Sequence, residues 1–347
     1  MGGSEGAIRV LVVDDCEPIR EMIRAILSAE PDIVVVGEAA DGADAVAKAS
    51  LLKPDIVTMD IEMPVMGGLE AIKRIMAQNP LPILVITSLT DVRTAFDAVS
   101  NGALDVIEKP NMSPESAQDL VKRLRRLSRV DVPKHLSVMG RRPHKHAESE
   151  KAPLPPVTKG SIIAIAASTG GPQAINSILS QLPATLPVPI IIAQHIAEGF
   201  TQGMADWLNS GTPLKVAVAC NGDILKNGNV YLNPAEHSMR ITESGMILLS
   251  DRDRQQIYNP SCDIPLASVA SAYRGRCVGL ILSGMGDDGA KGMQAIKKSG
   301  GVTLAQDEKS SVVYGMNRCA VELGCIDKIL QLDDIPAELL LRVGGRQ

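Results

Sequence analysis

The first 128 residues alternate between two patterns of apolar spacing. Near-continuous apolar runs, "IRVLVVDD", "IVVVGEA", "DIVTMD", "PILVITS" and "DVIEKP", read as buried strands. Between them lie "EPIREMIRAILSAE", "GADAVAKASLLK", "GGLEAIKRIMAQ", "DVRTAFDAVSNG" and "SAQDLVKRLRRLSR", where apolar residues return every three or four positions, the spacing of one helix face. Five such βα units predict a doubly wound α/β domain with a parallel sheet over residues 1–128. In that architecture the carboxyl ends of the strands form the site.

Regular spacing stops in "RVDVPKHLSVMGRRPHKHAESEKAPLPPVTKG", which holds five prolines and three of the chain's five histidines, so residues 129–159 are expected to be a flexible tether. His135, His144 and His146 are irregularly spaced, which favours solvated side chains over a metal tract. From residue 160 to 347 the runs "SIIAIAA", "PVPIIIAQ", "CVGLILS" and "GVTLAQ" predict a second parallel sheet, with helices at "GPQAINSILSQL" and "TQGMADWLNS". The stretch "NVYLNPAEHSMRITESGMILLS" predicts an antiparallel meander inserted into this Rossmann-like domain.

Composition narrows what two such domains do. At 347 residues the chain can bury two cores. A net charge of -5, with two Phe, one Trp and four Tyr, argues against a basic, aromatic surface for nucleic acid. No apolar run nears the roughly 20 residues that span a bilayer, and "MGGSEGAIRV" lacks a signal-peptide layout, so a cytoplasmic protein without membrane insertion is expected. Six cysteines with no C-x-x-C pair are expected to be reduced packing residues, not a zinc knuckle or disulfide framework.

The ends of the first five strands carry Asp14 and Asp15, then Asp60, then Thr87 and Ser88, then Lys109 before Pro110. Three carboxylates at one rim repel one another unless a cation lies among them, and hard oxygen ligands suit Mg²⁺. An Asp beside Mg²⁺, a hydroxyl and a lysine can accept a phosphoryl group. In their order, "VVDD", "DIEMP…GG", "TS" and "KP" resemble the flavodoxin-like receiver domain of two-component response regulators. The resemblance implies Asp60 as phosphoacceptor, Asp14, Asp15 and Asp60 around Mg²⁺, Thr87 and Lys109 as phosphate-sensing residues, and a histidine kinase as phosphodonor. Val106 stands where many receivers have an aromatic switch residue.

In the second domain, Ser168 closes the first strand, His195 the second, and "SGMGDD" follows another. A hydroxyl, an imidazole and a carboxylate at the ends of one parallel sheet are the grouping that nucleophilic acyl transfer needs. Each alone has a plainer reading: Ser168 or an aspartate as a helix cap, His195 as a core residue. His237 reads as a surface residue. Amides of the turn Thr169 to Gly171, with the positive end of the following helix, offer an oxyanion site. A competing reading takes Gly284, Gly286 and Gly289 as the G-x-G-x-x-G turn of a dinucleotide fold. Asp287 and Asp288 inside that turn would repel a pyrophosphate, so the carboxylate reading prevails.

"IAASTGGPQAI", "QHIAEGFTQGMADWLN", "SGMGDDGAKGM" and "AQDEKSSVVYGMNRCA" resemble the catalytic domain of chemotaxis protein-glutamate methylesterases. That resemblance implies a phosphorylation-activated hydrolase of glutamate γ-methyl esters on chemoreceptors, with deamidation of some receptor glutamines. It implies Ser168 as nucleophile, His195 as base and Asp288 as orienting acid, with Thr169, Gly170 and Met285 shaping the site and no cofactor in this domain. Asp287 falls at a variable position, and Ala166 replaces a common glycine, with a methyl that would crowd the turn. Two other functions fit a receiver with an α/β output: a controlled NAD-dependent oxidoreductase and a non-catalytic adaptor.

Overall fold

The computed structural model describes residues 6–88, 92–133, 160–252 and 258–344. The chain divides into two compact units, Met1–Ser137 and Val138–Gln347. The tether expected at 129–159, with His135, His144 and His146, lies from residue 134 onward outside the described residues.

The first unit runs β1 (Ile8–Val13), α1 (Glu17–Ser28), β2 (Ile33–Ala39), α2 (Gly42–Leu52), β3 (Ile56–Met59), α3 (Gly68–Gln78), β4 (Ile83–Thr87), α4 (Val92–Ser100), β5 (Asp105–Glu108) and α5 (Pro114–Leu127). Its strands pair in parallel in the order β2-β1-β3-β4-β5. Helix ends follow local chemistry. The Ser113 hydroxyl accepts from the Ser116 N–H ahead of Pro114, and Arg125 and Arg126 stand in the last turn of α5 against its negative end. Chain order reverses between β1 and β3, so Asp14 and Asp60 emerge side by side at the switch point.

Gly68 opens α3 against the Asp60 carbonyl, where a Cβ would lie 1.9 Å from the backbone oxygen. A methyl there forces the two backbones apart. Gly68→Ala is expected to destabilise this unit by about 1–3 kcal/mol, read as faster hydrogen exchange of the β3 and β4 amides. Unchanged exchange would show that the loop yields freely.

The second unit runs β6 (Ile162–Ala167), α6 (Gly171–Leu179), β7 (Ile190–Gln194), α7 (Thr201–Gly211), β8 (Lys215–Val218), β9 (Asn229–Leu232), β10 (His237–Ile241), β11 (Ile247–Asp251) and α8 (Asp263–Tyr273). It continues with β12 (Cys277–Ile281), α9 (Ala290–Lys298), β13 (Val302–Gln306), α10 (Met316–Glu322), β14 (Lys328–Leu330) and α11 (Ile335–Val343). Seven parallel strands lie in the order β14-β13-β12-β6-β7-β9-β8. The chain starts in the middle at β6, passes through β7 to the edge strand β8, turns back into β9 between them, then crosses over to build the other half through β12, β13 and β14. The switch point therefore falls between β6 and β12.

The expected meander is corrected in one respect. Its first run, β9, belongs to the main sheet between β7 and β8, and only β10 and β11 form an antiparallel pair. Val230, Tyr231 and Leu232 are all buried, which suits a strand covered on both faces better than a half-solvated hairpin. The short length of β8, "KVAV", and its exposed Lys215 and Ala217 hid it from pattern reading. Ile162, Ala164 and Ala166 of β6 share one core cluster with Cys262, Leu266 and Met293 from the side of α8 and α9. All six cysteines are unpaired; Cys262, Cys277 and Cys325 are buried, whereas Cys16 and Cys220 are exposed. Among the described residues no helix is long and apolar enough to cross a membrane.

Candidate active site

In the first unit the acidic rim is tightly built. Asp14 and Asp60 are buried, Asp15 is exposed, and ligand oxygens of the three lie within 4.8 Å of one another. Lys109 Nζ stands 2.8 Å from Oδ2 of both Asp14 and Asp60. Only the Asp60 contact is aligned as a hydrogen bond, which leaves Asp14 Oδ2 buried without one. Burial pushes the Asp60 carboxyl above the usual range, the Lys109 hydrogen bond pulls it down, and the Asp14 charge raises it again. Burial lowers Lys109, but its close contacts with the Asp14 and Asp60 carboxylates outweigh this and hold it above its ordinary value. Three carboxylates whose oxygens lie within 4.8 Å of one another, with a single ammonium among them, fit a divalent cation. Thr87 is buried at the end of β4, its carbonyl accepting from the Lys109 N–H at 2.9 Å. Val106 packs on the core of this unit.

In the second unit, Ser168, His195 and Asp288 come from the three strands around the switch point. Backbone bonds continue across those strand ends: the His195 N–H donates to Ala167 O at 3.0 Å and the Ser168 N–H to Ser283 O at 3.0 Å. Ser168 and Asp288 are buried. His195 Nε2 lies 2.8 Å from Asp288 Oδ2. The same carboxylate accepts from the Cys262 N–H at 2.6 Å, the Asp263 N–H at 3.0 Å, the Gly289 N–H at 3.1 Å and the Ser261 hydroxyl at 3.2 Å. Burial works to raise the Asp288 carboxyl, but the His195 bond and the backbone donors prevail and hold it below its ordinary value. An ionised Asp288 accepting from Nε2–H fixes the tautomer, so Nδ1 is the basic nitrogen. No hydrogen bond joins Ser168 to His195 among the described residues. Such contacts often tighten only when substrate binds.

The glycines of "SGMGDDG" serve close packing. A Cβ at Gly284 would lie 2.8 Å from Ser168 Cβ, and Gly289, at φ +90°, faces the Ala166 methyl. That methyl therefore lies against Gly289, while Ala167 is the alanine beneath the turn at Gly171. Met285 is half-buried beside Gly284, and Asp287 is exposed. Gly170, at φ +77°, caps α6. The Gly171 N–H is already committed to Ser168 O at 2.7 Å, which removes it from the expected oxyanion donors. His237 is half-buried with a shielded Nδ1, not the surface residue expected.

Two supporting features were missed in the sequence. The Gln194 amide donates to Ser168 O and to His195 O, each at 2.9 Å, bridging the two strand ends. Its signal was one polar residue closing the apolar run "IIIAQ". The segment from Ser261 to Asp263 supplies three of the Asp288 donors. Nothing in its spacing announces that contact with a loop 25 residues further on.

An acidic phosphoacceptor-type pocket and a Ser, His, Asp grouping at a sheet switch point define a response regulator whose output domain has the architecture of a serine hydrolase. Residues 10–125 match the response regulator receiver domain, and residues 163–339 match the CheB methylesterase family. The chain belongs to the CheB methylesterase family. It is 46% identical to protein-glutamate methylesterase/protein-glutamine glutaminase 3 of Paramagnetospirillum magneticum over 99% of this chain and 98% of that one. A protein-glutamate methylesterase/protein-glutamine glutaminase of Pyrococcus abyssi is 35% identical over 97% of this chain and 95% of its own. The crystal structure of the Thermotoga maritima CheB methylesterase catalytic domain, 34% identical, covers 53% of this chain and 98% of its own with a TM-score of 0.51.

Proposed function

We propose that this chain is a cytoplasmic protein-glutamate methylesterase and protein-glutamine glutaminase acting on chemoreceptors under control of its receiver. The observation that carries this reading is the His195–Asp288 hydrogen bond placed beside Ser168 at one switch point. It favours hydrolysis over the dinucleotide and adaptor readings, because Asp288 turns inward onto an imidazole. Ser168 Oγ attacks the γ-ester carbonyl while His195 takes its proton, then returns it to the departing methanol. Water repeats the sequence on the acyl-enzyme, releasing glutamate and restoring Ser168. The amides of Thr169 and Gly170 would stabilise the developing oxyanion, with Met285 shaping the approach. With a glutamine substrate the leaving group is ammonia. Methanol release from methylated receptor membranes tests the assignment, and a full-length chain that releases none would refute it.

Control lies at Asp60, the phosphoacceptor for a chemotaxis histidine kinase. Asp14, Asp15 and Asp60 would hold Mg²⁺, which when bound supplies charge neutralisation for phosphoryl transfer. Lys109 and Thr87 would sense the added phosphoryl oxygens. A small phosphodonor with Mg²⁺ is expected to raise hydrolysis by about tenfold to a hundredfold, a shift of about 1.4–2.7 kcal/mol between inactive and active states. Asp60→Asn should abolish that response and keep basal hydrolysis. Activation persisting in Asp60→Asn would place the phosphoryl group elsewhere.

A further inference from the structure

We infer that Tyr258 is a positioning residue for His195, and that Asp287 acts on the same imidazole through Tyr258. The inference rests on the reading of His195 as the base. The two rings stack face to face, with centroids 4.9 Å apart and planes 7° from parallel. The Tyr258 hydroxyl donates to Asp287 Oδ1 at 3.2 Å. Gly286 makes room for that hydroxyl: at φ +90°, a Cβ there would lie 2.4 Å from Tyr258 Oη. The next carbonyl, Asn259 O, accepts from the Ile196 N–H at 3.0 Å, pinning the tyrosine's strand of chain to the loop that carries His195. Burial and the Asp287 charge both raise the Tyr258 hydroxyl above its ordinary value, so it stays a neutral donor.

These contacts answer what the second aspartate of the pair is for. Asp288 restrains the imidazole within its plane, at one nitrogen. A ring held only there can still swing about that bond. Tyr258 closes off the swing by covering one face, and its π surface favours the imidazolium formed when Ser168 loses its proton. Asp287 fixes Tyr258 from its far end. Two consecutive carboxylates thus govern one histidine from two directions, one by direct contact and one through a tyrosine.

Methanol release by the full-length chain and ¹H NMR of His195 test this together. Tyr258→Leu is expected to lower kcat about tenfold to thirtyfold with KM within about twofold, the scale of a lost aromatic face against a partly desolvated imidazolium. Tyr258→Phe keeps the ring and should lose only about threefold, as should Asp287→Asn. The combined Tyr258→Phe/Asp287→Asn variant should be no worse than either alone, since both remove one hydrogen bond. The His195 ring protons, assigned by their loss in His195→Gln, should sit upfield in the wild type and move downfield in Tyr258→Leu. An active wild type whose kcat is unaffected by Tyr258→Leu would overturn the positioning role. Additive losses in the double variant would overturn the link to Asp287. A wild type that shows the ring-current shift but releases no methanol would instead overturn the hydrolase reading, and the tyrosine's role with it.

Discussion

Ser168→Ala is expected to lower methanol release from methylated receptors by about four to six orders of magnitude, the loss seen when the nucleophile of a catalytic group that acts as a unit is removed. His195→Ala should fall as far, and the double variant little further. The substitution deletes one buried hydroxyl whose loss leaves every backbone bond at the turn in place, so the thermal midpoint should hardly move. Activity and folding are thereby separated. Circular dichroism and methanol release on the same samples check the pair. Retention of more than about 1% of the rate would point to another nucleophile.

Asp288→Asn should be the next most damaging change, at about three to four orders of magnitude in kcat, with Asp287→Asn costing only a few-fold. Five donors converge on the Asp288 carboxylate: the His195 ring, the Ser261 hydroxyl and three backbone N–H groups. A carboxamide offers one acceptor oxygen, so it leaves buried N–H groups unpaired and presents its own donor to the others. The imidazole then takes the wrong tautomer, and stability falls by about 1–3 kcal/mol. The pH dependence has a definite sign. Asp288 is held below its ordinary value, so its contribution to folding is full above that value and lost as pH falls through the folded one. At neutral pH the carboxylate is fully ionised and no part of the neutral-range profile belongs to it. A greater loss from Asp287→Asn would reverse the two assignments.

Much of this architecture was legible because parallel strands buried on both faces leave long apolar runs, as in β1, β4, β6 and β12. Their ends are then fixed positions, and in a parallel sheet all ends on one side meet at one edge. That is why Asp14, Asp60 and Lys109 on one sheet, and Ser168, His195 and the pair Asp287 and Asp288 on the other, could be read as neighbours from strand ends alone. Pattern reading failed where burial and spacing part company: β9 is buried on both sides but short and polar-flanked, and β8 lies on the edge with alternating exposure. It failed also for Gln194 and Tyr258, whose partners are set by tertiary approach.

By itself the amino-acid order determined the two α/β units, the strand ends and the residue types gathered there, since periodicity and turn chemistry are local properties. Strand-end spacing left Asp287 and Asp288 equivalent and only the family resemblance favoured Asp288; the tertiary structure sets Asp288 at 2.8 Å from the imidazole. It also decided that Asp288 meets Nε2, that Gly171 is taken out of the oxyanion turn, and that the Tyr258 ring covers His195. These outcomes depend on how far the loop after β12 turns past Gly286 and Gly289, both at φ +90°, and on a chain segment that arrives from before α8. Neighbouring residues in a glycine-rich loop carry the same chemistry, so only the direction in which the folded backbone aims each side chain separates their roles.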